Sequence, residues 1–147
     1  EACRDLNKKL VQISTEYVYA NNLNIPTEEN NAIPHDSYYA LTKLLADEYV
    51  KLRNNSYLIC RLLHKPNDFN YPEIWNTKTS GDKVNKIAEL VIKLINNNAE
   101  GVYNVGTGSK YLSDLVPNCK IIEPPKHVPT DTRMNLNKLN TFLNNIT

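Results

Sequence analysis

The sequence predicts an α/β fold in which helices pack against a parallel sheet. Three apolar runs have the length of buried parallel strands, and a longer segment with helical periodicity separates each from the next. Strand, helix, strand, helix, strand is the order typical of layered α/β folds. The predicted strands are Leu10–Ser14, Tyr57–Leu63 and Val102–Val105, and the predicted helices span about 36–52 and 82–98.

The chain begins with a helical pattern and continues, after the first strand, into a long loop. Residues 1–9 have the pattern of the last turns of a helix, and the residues on its predicted face are Ala2, Leu6 and Leu10. Residues 20–37 are polar, contain two prolines and lack periodicity. We expect a loop there, and long loops in compact domains are often functional.

The helix that follows this loop has the clearest pattern in the chain. Asp36 or Ser37 has the side chain needed to cap its first turn. Its predicted buried face consists of Leu41, Leu44, Leu45, Tyr49 and Leu52.

The second half of the chain contains one more strong helix and several weaker elements. An irregular stretch runs from His64 to Gly81. The inward residues predicted for the helix at 82–98 are Val84, Ile87, Val91, Leu94 and Ile95. The weaker elements are a turn at 106–109, a short helix near 113–116, a strand at Lys120–Ile122 and a last helix around 137–144.

Composition excludes several classes of protein. With 17 Lys and Arg against 16 Asp and Glu and no basic cluster, we expect no nucleic-acid partner. No apolar run is long enough to predict a membrane span. Three separated cysteines without a C-x-x-C pair favour a reducing compartment, and we expect a cytoplasmic protein. The three histidines lack metal-ligand spacing, so we expect no metal.

Glycine is scarce, and this limits what the chain can bind alone. None of its four glycines forms the G-x-x-G-x-x-G or G-x-G-x-x-G loop that holds a pyrophosphate between a strand and a helix. We therefore expect that the chain on its own does not hold a dinucleotide well.

Tyr39 and Lys43 are the residues best suited to chemistry. Four residues apart on a helix, they project from one face. A phenol can protonate a carbonyl oxygen as hydride arrives, and a nearby ammonium lowers the pKa of that phenol toward neutrality. Thr15 follows the first strand, where ligands bind in open α/β sheets, and its hydroxyl could orient the same carbonyl.

Several segments together resemble the dTDP-4-dehydrorhamnose reductase family of extended short-chain dehydrogenases/reductases. They are S-T-E-Y-V-Y at 14–19, P-T-E-E-N at 26–30 and Y-A-L-T-K at 39–43. The strand I-C-R at 59–61 is similar to the one leading to that family's sugar pocket, and G-V-Y-N-V-G at 101–106 resembles its late G-x-Y-N-x-G strand.

The resemblance implies a partial Rossmann-like parallel sheet with flanking helices and a small C-terminal substrate-binding lobe. Residues 1–147 would form one unit, with the end of the sheet and the catalytic pair in 1–63 and mostly lobe elements in 64–147. It also implies a nucleotide-sugar substrate, a 4-keto-6-deoxy sugar similar to dTDP-4-dehydrorhamnose, reduced with NADPH or NADH. The resemblance further implies that the N-terminal dinucleotide-binding half is absent, so that the segment alone is inactive. The expected partner is a second copy of the chain or this missing N-terminal half.

The same resemblance implies a role for each candidate site residue. Tyr39 would be the general acid, and Lys43 its pKa-lowering partner; both would contact the cofactor. Thr15 would orient the keto group as the third catalytic residue. The resemblance implies that Thr15, Glu16 and Tyr17 bind the substrate. His64, just after the second strand, is a further candidate substrate-binding residue because of its position.

Other functions fit parts of the pattern. Sugar-nucleotide dehydratases usually follow the threonine with two acids, whereas Tyr17 follows Glu16 here, and epimerases typically carry a serine-rich segment at this strand end. These differences favour reduction over dehydration or epimerisation. A non-catalytic regulatory subunit of the same fold and an inactive fragment are the remaining alternatives.

Overall fold

Nine strands and four α-helices make up the regular structure of residues 1–146, which the computed structural model describes. In chain order the elements are α1 (Ala2–Asp5), β1 (Leu10–Thr15), α2 (Tyr38–Arg53), β2 (Tyr57–Leu62), β3 (His64–Lys65), β4 (Glu73–Trp75), β5 (Lys78–Thr79), β6 (Asp82–Lys83), α3 (Val84–Asn96), β7 (Gly101–Val105), β8 (Lys110–Tyr111), β9 (Lys120–Ile122) and α4 (Asn137–Asn145). Two 3-10 turns lie at Glu16–Tyr19 and Leu112–Leu115.

The central sheet has three parallel strands in the order β1-β2-β7. Thr15 lies opposite Leu62, and Leu62 lies opposite Val105, so the three strands end at the same edge. α2 forms the crossover from β1 to β2, and α3 lies in the crossover from β2 to β7, as parallel pairing requires. The predicted α/β class and all three predicted strands are confirmed.

The main core lies between this sheet and the helices α3 and α4. Alternate residues of β2 face it, because successive side chains of a strand point to opposite sides. Leu94 and Leu139 bring the two helices onto these strand residues. The buried members of the cluster are Leu58, Cys60, Leu62, Ile87, Leu94, Ala99, Tyr103, Val105 and Leu139.

A small lobe, built from the strand pairs β4–β9 and β5–β8, lies after β2 in the chain. Its own core is the buried cluster Phe69, Ile74, Leu112, Leu115 and Val116. Three elements that follow residue 63, namely α3, β7 and α4, belong to the main sheet and its core. The stretch predicted as irregular, 64–81, contains β3, β4 and β5.

The predicted buried face of α2 is wrong. Leu41, Leu45, Tyr49 and Leu52 are exposed, whereas Ala40, Asp47 and Val50 are buried. Leu44 is the one predicted residue that packs inward, against the cluster of Val18, Tyr19 and Met134. The reason is that α2 lies on a polar side of the sheet, where Ser14 and Arg61 donate hydrogen bonds to the Asp47 carboxylate of the helix.

The N-terminal helix is also shorter than predicted. α1 ends at Asp5, and Asn7 adopts a positive φ of 50° that stops the helix before the first strand. Ala2 and Leu6 of the predicted face are exposed, and Leu10 belongs to β1 instead of the helix. None of the helices in this range combines the length and apolar character needed to cross a bilayer.

A buried ion pair joins α2 to β2. The Arg61 Nε donates to Asp47 Oδ2 at 3.1 Å, and the two side chains are 2% and 0% exposed. Ser14 Oγ donates to the same carboxylate oxygen at 2.9 Å, while Arg61 Nη1 donates to the Tyr19 hydroxyl. This network connects β1, β2, α2 and the turn that follows β1.

Removal of Arg61 tests how much the fold depends on this network. Because Arg61→Met leaves the Asp47 carboxylate buried without its cation, we expect a loss of about 3–5 kcal/mol in the free energy of unfolding. Urea denaturation measures it. The control, Arg53→Met, removes an exposed arginine from α2, the helix that carries Asp47, and should change stability by less than about 0.5 kcal/mol. Equal effects of the two variants would contradict a specific role of the Arg61–Asp47 ion pair in stability.

Candidate active site

A cavity of about 300 Å³ lies at the carboxyl ends of β1 and β2. Five of the six residues predicted to form a site line it together. They are Thr15, Tyr17, Tyr39, Lys43 and His64. Its remaining walls are Ile13, Ser14, Leu62, Leu63 and Lys65. We call this cavity the cleft.

α2 places Tyr39 and Lys43 on one side of the cleft. Ser37 caps the helix through its side-chain oxygen, which accepts from the Ala40 amide at 3.2 Å. The Tyr39 side chain is 53% exposed, so its phenol is accessible from the cleft. The Lys43 Nζ donates to the Ile13 carbonyl at 3.0 Å, which fixes the ammonium beside the strand that ends at Thr15.

Thr15 ends β1 and begins the 3-10 turn. Its hydroxyl oxygen accepts from the Tyr17 amide at 3.3 Å. A hydroxyl has one hydrogen to donate and two lone pairs, so this contact leaves the Thr15 hydrogen free for a carbonyl oxygen. The Thr15 hydroxyl is therefore available to donate to an acceptor on a ligand.

Tyr17 and His64 form other walls of the cleft. The Tyr17 ring meets the Tyr39 ring edge-on, with centroids 6.4 Å apart, and it also contacts the His35 ring. Burial raises the pKa of Tyr17, so this phenol stays protonated. His64 is exposed at the start of β3. Both side chains are placed where they could contact a ligand.

Glu16, the sixth predicted site residue, does not line the cleft. Its side chain is fully buried, and its carboxylate accepts hydrogen bonds from the hydroxyls of Thr79, at 2.9 and 3.1 Å, and Thr132. Burial raises the pKa of Glu16 to about 7, although both hydroxyls favour the charged form. The predicted contact of Glu16 with a sugar is not present in this arrangement, because the lobe covers the carboxylate.

Lys65 is a cleft residue that the sequence interpretation missed. Its ammonium lies 5.2 Å from the centroid of the Phe69 ring. Burial lowers the pKa of Lys65, and the charge of Glu16 opposes this effect. Within residues 1–146 no carboxylate comes within 4 Å of the ammonium. Its position just beyond the end of β2 was the available signal, since ligands bind at carboxyl ends of parallel strands.

Metal binding has no support from this arrangement. Across residues 1–146, no three His, Cys, Asp or Glu side chains are grouped so that they could hold an ion.

Comparison with known families identifies the relatives of this chain. The model of the NAD dependent epimerase/dehydratase family matches residues 1–111. The chain belongs to this family. The family description agrees with the nicotinamide cofactor predicted from the sequence. No curated protein matches the chain by sequence.

Solved structures share the fold. The dTDP-4-dehydrorhamnose reductase of Clostridium acetobutylicum is 20% identical, with a TM-score of 0.76 over 97% of this chain and 62% of its own. The enzyme of the same name from Bacillus anthracis, solved with NADP, is 23% identical, with a TM-score of 0.75 over 96% and 62%. The resemblance seen in the sequence and the predicted fold class are confirmed at the level of the fold.

An epimerase has a similar fold. The UDP-N-acetylglucosamine 4-epimerase of Methanobrevibacter ruminantium, in complex with UDP-N-acetylmuramic acid, is 20% identical, with a TM-score of 0.74 over 95% of this chain and 58% of its own. The chain thus spans about 60% of the length of these structures.

The raised pKa of Glu16 predicts how stability depends on pH. The folded protein holds a proton at Glu16 up to about pH 7, whereas the unfolded chain releases it near pH 4.5. The contribution of Glu16 to the free energy of unfolding is therefore fully present below pH 4.5. It is lost as pH rises through 7, and the loss amounts to up to about 3 kcal/mol. Glu16→Gln lacks this loss, so its stability relative to wild type should increase by that amount between pH 4.5 and 8.

Urea denaturation at several pH values measures this difference. The control is Glu89→Gln, which makes the same change on the exposed side of α3. A stability difference between Glu16→Gln and wild type that is independent of pH would contradict the prediction.

Proposed function

We propose that this chain carries the catalytic acid and the carbonyl-orienting group of a nucleotide-sugar reductase that uses NADPH or NADH. The substrate is a nucleotide-linked 4-keto-6-deoxy sugar of the dTDP-4-dehydrorhamnose type. The observation that supports this proposal is that Thr15, Tyr39 and Lys43 line one cleft at the carboxyl edge of a parallel sheet. That the solved relatives include two reductases of this name agrees with it.

The proposed reaction needs one proton from the protein. The Thr15 hydroxyl donates a hydrogen bond to the keto oxygen and holds the carbonyl beside Tyr39. The Tyr39 phenol then gives its proton to this oxygen, so that the carbonyl becomes an alcohol and Tyr39 becomes a phenolate. The positive charge of Lys43 stabilises the phenolate until solvent returns the proton.

The cofactor would supply the hydride to the carbonyl carbon. Two features of the cleft fit a nicotinamide nucleotide. The exposed Tyr39 phenol and the Lys43 ammonium offer hydrogen-bond donors to a ribose, and Lys43 already has an acceptor in the Ile13 carbonyl that fixes its direction. The pyrophosphate would be held by groups outside this chain, since its four glycines form no loop of the required pattern.

An epimerase is the second candidate. It is favoured by the family match and by the fold of the Methanobrevibacter ruminantium enzyme. Such an enzyme can use the same tyrosine and lysine, but the cofactor is regenerated in each turnover. Consumption of NAD(P)H therefore separates the two candidates.

The partner of the chain stays a prediction. β1 is an edge strand of the sheet, and α2 exposes an apolar stripe composed of Tyr38, Leu41, Leu45, Tyr49 and Leu52. Both features support either the N-terminal half or a second copy as the element that covers this side.

Tyr39→Phe tests the acid role. We expect kcat for NAD(P)H oxidation with a nucleotide-linked 4-keto-6-deoxy sugar to fall about 10²- to 10⁴-fold, because the ring remains while the proton donor is lost. The assay uses the full reading frame that encodes this chain. The matched control is Tyr38→Phe, which changes the neighbouring tyrosine, 88% exposed, and should leave kcat unchanged.

Two results would count against the reductase. Full activity of Tyr39→Phe would remove Tyr39 from the proton transfer. Conversion of the sugar to its C4 epimer by the wild-type protein, without net NAD(P)H oxidation, would favour the epimerase.

We also propose that Lys65 contacts an anionic group of the substrate. Its desolvated ammonium has no carboxylate partner within ion-pair distance among residues 1–146, and a diphosphate in the cleft would supply the missing charge. Lys65→Met should raise KM for the nucleotide sugar by about tenfold or more, with kcat within about twofold. The control is Lys93→Met, on exposed α3 surface. An unchanged KM would exclude the contact.

A further inference from the structure

Glu16 connects two parts of the molecule that are far apart in sequence. It lies between Thr15 and Tyr17, which both line the cleft. Its carboxylate accepts from Thr79, 63 residues later on β5, and from Thr132, 116 residues later. The buried carboxylate therefore joins the end of β1 to the small lobe and to the segment after it.

The two hydroxyls can satisfy either protonation state of Glu16. The Thr79 oxygen accepts from the Gly81 amide at 2.9 Å, so its hydrogen is available to the carboxylate. The Thr132 hydroxyl also lies 3.1 Å from the Lys78 carbonyl, which offers it a second acceptor. If Glu16 gains a proton and donates, Thr132 can turn to this carbonyl. The exchange leaves no buried group without a hydrogen bond.

Two neighbouring charges have opposite effects on the pKa of Glu16. Lys65 on β3 favours the carboxylate, and Asp131, beside Thr132, disfavours it. The Asp131 charge is partly neutralised by Arg133, whose Nε lies 2.9 Å from it. The other titratable side chains on the surrounding segments are Tyr17, His64 and Lys78. Hydroxyls thus make all the side-chain hydrogen bonds to this carboxylate within residues 1–146, and Lys65 is the cation that acts on it.

We propose that Glu16 is a positioning residue whose carboxylate ties the catalytic end of β1 to the small lobe, so that its protonation state sets the positions of Thr15 and Tyr17. The ionised form holds both hydroxyls and gives the arrangement of the cleft described above. Protonation reverses the hydrogen bond with Thr132 and replaces charge-assisted bonds by weaker neutral ones, so that the turn at Glu16–Tyr19 is held less firmly to the lobe. The link to turnover rests on the proposed function.

The pH profile of the full-length protein tests this role. In wild type, kcat/KM should fall about tenfold between pH 8 and pH 6, as the fraction of ionised Glu16 decreases. Glu16→Gln should lack this acidic limb, and Glu89→Gln should retain it. Thr132→Val, which keeps the side-chain shape but removes one donor to the carboxylate, should move the limb about one unit higher in pH.

A measurement without substrate separates this proposal from the proposed function. The amide nitrogen and proton shifts of Thr15 and Tyr17, followed by NMR, should titrate with a midpoint near pH 7 in wild type. They should not titrate there in Glu16→Gln, and the midpoint should rise in Thr132→Val. A Tyr17–Tyr39 ring contact that changes over the same pH range supports the positioning role even if no 4-keto sugar is turned over, a result that would overturn only the reductase.

Two results would overturn the positioning role of Glu16. If wild type reduces the sugar but the Thr15 and Tyr17 amides show no transition that depends on Glu16, the positioning role is overturned and the reductase stands. The same conclusion follows if Thr132→Val leaves both the acidic limb and the amide midpoint unchanged.

Discussion

Parallel pairing of β1 with β2 is the constraint on which the cleft depends. The register places Thr15 opposite Leu62, so the 3-10 turn after β1 and the short strand β3 after β2 leave the sheet at the same level. α2, which connects the two strands, must then return along the sheet, and its first turns bring Tyr39 to this edge. A shift of one residue in the register would send Thr15 to the other face.

Two buried carboxylates support this arrangement in different ways. Asp47 is held by Arg61, a permanent cation, and by the Ser14 hydroxyl. Glu16 has hydroxyl donors alone, with Lys65 acting from outside hydrogen-bond distance. A guanidinium itself stays charged over the whole physiological range of pH, whereas hydroxyls can reorient when their partner gains a proton. The first carboxylate therefore maintains the fold, and the second can respond to its surroundings.

Most of the fold could be predicted from apolar periodicity, but side-chain environments could not. The strands at 10–15, 57–62 and 101–105 stood out because each contains a short apolar run, although β2 is buried along most of its length and β1 is only half-buried. The orientation of α2 was mispredicted because the buried Asp47 occupies the position that hydropathy assigns to solvent. Similarly, nothing near Glu16 in sequence shows that its partners come from positions 79 and 132. The cleft residues were found because their spacing reflects chemistry, while Lys65 required knowledge of where β2 ends.

The edge position of β1 has a consequence for the behaviour of the chain in solution. Its outer backbone groups have no strand beside them within residues 1–146, and the apolar stripe of α2 is exposed as well. An unpaired edge next to apolar side chains is a template for another strand. At high concentration, copies of the chain that lack a partner on this side would associate through β1. The turbidity of the solution would then measure how completely a natural partner covers the edge strand.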